Sequence, residues 1–364
     1  MERILAHRIQ RILRSLGFWA GATRAAFSSA SMVSVVLGGA IAAAHGFFSA
    51  GLFLLSAAGV LALHLGANLV NDYYDYACGA DLARNDRTPF YGGGTILIGG
   101  TLSPRQVSQA YKALFTSAFL SSLVLAALRG PGILALGLAG FLCGYFYTAP
   151  PFRLSYVGLG EATIGLCFGP LTVVGVYLVQ AGEFGADVLE ALVPSIPVGL
   201  LVAAIVFVNE FPDRATDAAC GKRTLVVRLP LRAALAGYSA LVLAPFAIIA
   251  AAIALGWLPR ATALAYLALP LALLGIGNLR AAHGVSARRR PYPDDARDGS
   301  GGPRGCEEPS GQLDQQSRVH ACDSTHPIDP SRGGYLAPRQ VAASTSTILL
   351  HLAVGLLLSL GFTI

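Results

Sequence analysis

The chain has 364 residues, 54% of them hydrophobic and only 13% charged, with a formal net charge of +6. A soluble domain carries about 25% charged residues, and one soluble chain cannot hide this much apolar surface in its core. The composition therefore excludes an ordinary water-soluble domain and makes the lipid bilayer the solvent to reason with.

A helix needs roughly 20 apolar residues to cross the hydrocarbon layer. Runs of that kind lie at about 27–47, 50–71, 107–128, 131–148, 158–180, 188–211, 232–256, 261–280 and 343–363. The expected fold is all-α, a polytopic transmembrane bundle of about nine helices. The Gly, Ala and Ser residues inside the runs suit close helix packing. Four units follow: a basic N-terminus at 1–26, an eight-helix bundle at 27–284 with the candidate site, a polar insert at 285–337, and a ninth helix at 338–364.

The N-terminus carries Arg3, Arg8, Arg11, Arg14 and Arg24 without the short apolar core of a cleavable signal peptide. With these spans, all 26 Lys and Arg residues except Arg129 and Arg260 fall on one side. That is the positive-inside asymmetry. It predicts a multi-pass plasma-membrane (inner-membrane) protein with a cytosolic N-terminus and cytosolic site loops, and it accounts for the net charge without a nucleic acid partner.

The second run ends in a polar cluster, Asn68, Asn71, Asp72, Asp75 and Asp81. Asn68, Asp72 and Asp75 are at i, i+4 and i+7 and share one helical face. Carboxylates crowded at a membrane helix end repel one another and are costly to desolvate. A divalent cation would offset that repulsion, and all-oxygen donors suit Mg²⁺; a solvated acidic loop is the other reading. Gly92, Gly93 and Gly94 lack the strand-then-helix context of a phosphate cradle and read as a lid segment.

After the fourth run comes Tyr147-Thr148-Ala149-Pro150-Pro151-Phe152-Arg153, a turn stiffened by two prolines. Tyr147 and Arg153 could hold phosphate or face an aromatic ligand, or merely sit at the interface. Glu161, at the edge of the fifth run, is a functional candidate because it is ionisable there; Gln180, at its end, is a weaker one.

The sixth run ends in Asn209, Asp213 and Asp217, at i, i+4 and i+8, a shared face provided Pro212 leaves the turn intact. Both clusters begin Asn-x-x-x-Asp, four runs apart, which suggests a duplicated four-helix unit. Facing one another, they would clamp Mg²⁺ and a diphosphate. Lys222 and Arg223 follow directly and could neutralise phosphate oxygens, or anchor the loop. The insert is polar and reads as disordered; its Cys306, His320, Cys322 and His326 match no compact zinc pattern. None of the six cysteines forms a CxxC pair.

These motifs resemble the UbiA superfamily of intramembrane prenyltransferases over nearly the whole chain except the insert. Within it they look most like the 1,4-dihydroxy-2-naphthoate polyprenyltransferases of menaquinone synthesis. The likeness rests on Asn-Asp-Tyr-Tyr-Asp-Tyr-x-x-Gly-x-Asp at 71–81, Gly92–Gly94 with Leu-Ser-Pro at 102–104, Tyr147–Pro151, Gly158-Leu-Gly-Glu161 and Gly-Lys-Arg-Thr-Leu at 221–225.

The resemblance implies Mg²⁺-dependent transfer of a polyprenyl group from its diphosphate to an aromatic acceptor. Asp72, Asp75, Asp213 and Asp217 would hold the metal. Asn68, Asn71, Asp81, Tyr147, Arg153, Asn209, Lys222 and Arg223 would bind substrate, and Tyr73, Tyr74 and Tyr147 would shield an allylic cation. Pro212, Pro230 and the insert depart from the pattern. Acceptors such as 4-hydroxybenzoate, homogentisate or a glycerol phosphate stay open, and a transporter is the rival from another class.

Overall fold

The computed structural model describes residues 17–79, 95–182, 188–287 and 338–364. Among them every regular element is helical. The principal helices are α1 (Ser29–Ala44), α2 (Ala50–Ala77), α3 (Pro104–Arg129), α4 (Pro131–Phe146), α5 (Gly160–Ala181), α6 (Val188–Ala219), α7 (Leu231–Ala254), α8 (Leu269–Ala287) and α9 (Pro338–Thr363). Short 3₁₀ turns at Ala25–Ser28 and Arg260–Ala268 lead into α1 and α8. Among the described residues eight of these helical segments are long and apolar enough to cross a membrane, and α4, with 16 residues, is a shorter ninth.

Local signals set several ends. Ser103 caps α3 by accepting from the Gln106 amide, while Gln106 Oε1 accepts from the Ser103 amide at 2.9 Å, a capping box that satisfies both orphan donors. Pro104 and Pro131 open α3 and α4, where their missing N–H costs nothing. Between those helices Gly130 sits at φ 100°, a backbone that L side chains rarely adopt.

Each helix packs on the next, and α9 returns to α1, so the nine close into a ring. Inside it α6 touches α1, α5, α7 and α9. The α5–α6 contact is backbone on backbone. A Cβ at Gly199 would stand 2.3 Å from the Gly165 carbonyl oxygen, and one at Gly169 would stand 2.6 Å from that of Ser195. Small residues at these positions allow the close approach that packs membrane helices in the absence of a hydrophobic driving force between them. Within α5 a π-turn at Cys167–Leu171 surrounds Pro170, whose missing N–H breaks the regular ladder.

The helices run past the apolar runs that announce them. α2 continues through the first acidic cluster to Ala77, and α6 passes Pro212 without a break to Ala219. α8 reaches Ala287, beyond the expected insert boundary at 285. Hydropathy stops at the first charges, whereas the hydrogen-bond ladder does not. The rest of the insert, Asp81 and Gly92–Gly94 lie outside the described residues.

Candidate active site

One end of the ring gathers the last turns of α2 and α6, the loop after α4, the first turn of α5 and the segment after α6. Asn68, Asn71, Asp75, Tyr147, Asn209, Glu210, Asp213, Asp217 and Lys222 line the same cavity there. Its volume is about 1060 Å³, and away from this end its wall is largely apolar, with Phe115, Phe119, Phe141 and Phe168 among the lining. Because α6 stays helical through Pro212, the Asn209, Asp213 and Asp217 face remains in register.

Asp75 is the hub of the first cluster. It accepts from Lys222 Nζ at 3.1 Å, from the Tyr156 hydroxyl at 2.9 Å and from Asn71 Nδ2 at 3.1 Å. Asn71 also donates to Thr148 Oγ1 at 3.0 Å, which ties α2 to the proline turn. Lys222 is set by its backbone, whose N–H donates to the Asp217 carbonyl at 2.8 Å, while the next amide, of Arg223, donates to the Tyr156 carbonyl at 3.0 Å. Glu161 Oε1 then accepts from the Leu225 amide at 2.9 Å and faces Glu210 of α6. One buried carboxylate thereby anchors the segment that presents Lys222.

Two tyrosines outside the spans are held in their neutral form. Burial, reinforced by the nearby Glu210, pushes the Tyr147 phenol well above its ordinary range. Burial and the Asp75 carboxylate do the same to Tyr156. Both therefore remain hydroxyl donors at any ordinary pH.

Several expected site residues stand elsewhere. Asp72 is 2% exposed, is paired with Arg24 and is absent from the cavity wall, since i+4 and i+7 from Asn68 diverge enough for a neighbouring cation to capture one carboxylate. Arg153, at φ 44°, lays its guanidinium 5.4 Å from the Tyr156 ring centroid and buttresses that ring from outside the cavity. Arg223 is exposed and likewise off the wall.

Tyr73 and Tyr74 pack into a core with Leu69, Val70, Val107 and Tyr111. Of the three tyrosines expected to shield a cation, only Tyr147 faces the cavity. Gln180 accepts from the Ser49 amide at 2.6 Å at the loop joining α1 to α2, a structural bond. Among the described residues no three Asp, Glu, His or Cys side chains form a ready-made metal cage.

Sequence reasoning missed Arg24 and Tyr156. Arg24 reaches the Asn68 carbonyl at 3.3 Å and Asn71 Oδ1 at 3.0 Å as well as Asp72. Its only sequence signal was its charge, which the topology count absorbed. Tyr156 stood in the loop before the fifth run with nothing to mark its partner.

The fold and the cavity define a class: multi-span helical membrane proteins with an acid-rich pocket opening among the helices. The chain belongs to the UbiA prenyltransferase family, which matches residues 31–296. It is 29% identical over 205 residues to the 1,4-dihydroxy-2-naphthoate octaprenyltransferase of Bacillus subtilis, covering 56% of this chain and 63% of that one. It is 31% identical over 251 residues to the UbiA prenyltransferase domain-containing protein 1 of Mus musculus, covering 68% and 69%. The matches thus span about two thirds of these relatives' lengths. The fold is shared with a UbiA homolog from Aeropyrum pernix K1 at TM-score 0.53 and 18% identity, over 92% of this chain and 96% of that one.

Proposed function

We propose that this chain transfers a polyprenyl group from its diphosphate to an aromatic acceptor inside the membrane, with 1,4-dihydroxy-2-naphthoate the acceptor favoured by its motifs and by the Bacillus relative. The observation that carries the reading is one cavity with two chemistries. Carboxylates, amides and Lys222 crowd one end, and apolar side chains line the rest. A long isoprenoid with an anionic head has that polarity.

The donor set fits Mg²⁺. Asp75, Asp213 and Asp217 bring hard anionic oxygens to the wall, and a site completed by phosphate oxygens and water needs only one or two protein carboxylates per ion. Asp72, held by Arg24, is the least suited of the four expected ligands. When bound, the metal supplies positive charge against the leaving diphosphate. The chain's own residues do the rest. Lys222 adds a charge-assisted donor, Asn68, Asn71 and Asn209 offer neutral hydrogen bonds to phosphate, and the apolar wall excludes the water that would quench an allylic cation.

Asp81 and Arg223 remain candidate substrate contacts, and Arg153 acts through Tyr156. The charge asymmetry supports a plasma-membrane location with this end in the cytosol; protease accessibility of an N-terminal tag in sealed right-side-out vesicles tests it, and cleavage there reverses the orientation.

Purified protein given a polyprenyl diphosphate, Mg²⁺ and 1,4-dihydroxy-2-naphthoate should yield a product whose mass is that of the prenylated naphthoquinol. No product with this acceptor, but one with 4-hydroxybenzoate, homogentisate or a glycerol phosphate, would move the substrate within the family. The acidic groups lie at helix ends and not near the bilayer midplane, where transporter sites lie, so uptake by proteoliposomes is not expected.

A further inference from the structure

Away from the acidic end, α1 and α2 bring another polar group to the cavity wall. His64 lies one turn before Asn68 on the same face of α2 and lines the cavity beside Leu63, Ala67 and Phe168. Ser31 of α1 donates its hydroxyl to the Ser28 carbonyl at 2.9 Å. Ser31 Oγ also stands 2.9 Å from His64 Nδ1. With its own proton on the Ser28 carbonyl, Ser31 is left to accept there, an arrangement that puts the imidazole proton on Nδ1 and the lone pair on Nε2. The Phe168 ring meets the imidazole edge-on, with centroids 5.1 Å apart and an 87° interplanar angle, and fixes its plane. Nε2 has no protein partner among the described residues and is not sealed from the cavity.

His64 thus presents an acceptor on a largely apolar wall, beside the Phe168 ring that sets its plane. A phenolic hydroxyl entering such a cavity must find an acceptor or bear the cost of desolvation.

We propose that His64 holds the hydroxyl of the aromatic acceptor and takes its proton during transfer; this rests on the prenyl-transfer reading above. The ring carbon next to the hydroxyl bonds to C1 of the prenyl chain as the C1–O bond breaks, its electron pair leaving on the diphosphate. The O–H proton passes to Nε2 and the oxygen becomes a ketone. The ring carbon then releases its hydrogen as a proton, or its carboxylate as CO₂, while the oxygen regains a proton and the ring its aromaticity. Ser31 is a positioning residue, since it sets the tautomer that leaves Nε2 open.

The test compares the wild type with His64→Ala, His64→Gln and Ser31→Ala, each checked by thermal unfolding. His64→Ala should lower kcat about 100-fold or more, the usual scale for a general base, and raise KM for the acceptor while leaving KM for the prenyl diphosphate unchanged. His64→Gln keeps an acceptor oxygen and should restore the acceptor KM but not kcat. Ser31→Ala should lower kcat by a smaller factor.

Wild-type acceptor kinetics in His64→Ala would overturn the proposal, as would equal losses for both substrates in a folded variant. If His64→Ala does not fold, unchanged kcat in both His64→Gln and Ser31→Ala overturns it. If the wild type itself makes no prenylated product, the prenyl-transfer reading fails. Titration of 1,4-dihydroxy-2-naphthoate into the wild type and His64→Gln, followed by its own fluorescence, would then decide whether His64 contacts the acceptor.

Discussion

The two Asn-x-x-x-Asp clusters look alike in sequence but sit on very different helices. α2 is peripheral, with 17% of its apolar window buried, while 72% of the corresponding window in α6 is buried. The last turn of α2 is therefore tied down side chain by side chain. Arg24 takes Asp72, while Lys222, Tyr156 and Asn71 take Asp75. The last turn of α6 inherits its position from a helix packed on four neighbours and pressed against α5 at Gly165, Gly169 and Gly199. Packing should therefore carry more of the second cluster's position than of the first's.

The contrast vanishes where both clusters serve one reaction. Asp75→Ala and Asp213→Ala should each cut turnover about 100-fold or more, as removal of transition-state charge stabilisation does. Initial rates of product formation measure this. A near-normal rate in one variant would reduce that cluster to scaffolding.

Lys222→Met breaks a pair whose side chains are 10% and 4% exposed, leaving the Asp75 charge without its cation. Losing one partner of a buried pair costs about 3 kcal/mol or more. Unfolding in detergent should show the loss, and adding Asp75→Asn should recover most of it. No recovery would mean that α2 is held by packing after all.

Gly199→Ala probes the other side of the comparison. The added methyl collides with the Gly165 carbonyl, and overpacking of this kind costs about 1–3 kcal/mol. The variant should unfold earlier while keeping its KM for the prenyl diphosphate, because the acidic end lies several turns away along α6.

A comparably small effect belongs to Tyr156→Phe, which removes one hydrogen bond to the Asp75 carboxylate worth about 1.5 kcal/mol. Folding raises the pKa of this phenol, so the folded chain holds a proton that the unfolded chain releases above about pH 10. Its contribution is complete below that pH and is lost as the pH rises further. Unfolding curves of the phenylalanine variant should therefore fall less steeply at alkaline pH than those of the wild type.

Much of the site was legible because its elements repeat a simple rule, an apolar run followed by oxygen-bearing residues at helical spacing. Asn68, Asn71, Asp75, Asn209, Asp213, Asp217, Tyr147 and Lys222 all reach the cavity. Spacing could not separate Asp72 from Asp75, since both lie on the broad face defined by Asn68. Which one a distant Arg24 would seize is decided 48 residues away in the chain. For the same reason Tyr73 and Tyr74, adjacent to the motif, turn into a core of Tyr111 and Leu69, while His64, unmarked in sequence, lines the cavity.

The sequence by itself determined that this is a multi-span helical membrane protein, where its helices lie to about two turns at each end, and that two acidic clusters come at the ends of α2 and α6. Those properties depend on transfer of whole segments into hydrocarbon and on local helical geometry, which a linear pattern encodes. Only the tertiary structure decided which carboxylates line the cavity, which are tied off by cations, and that a histidine joins the cavity wall. Each of those outcomes is set by partners far apart in the chain, and a buried polar group takes whichever partner the packing brings within about 3 Å.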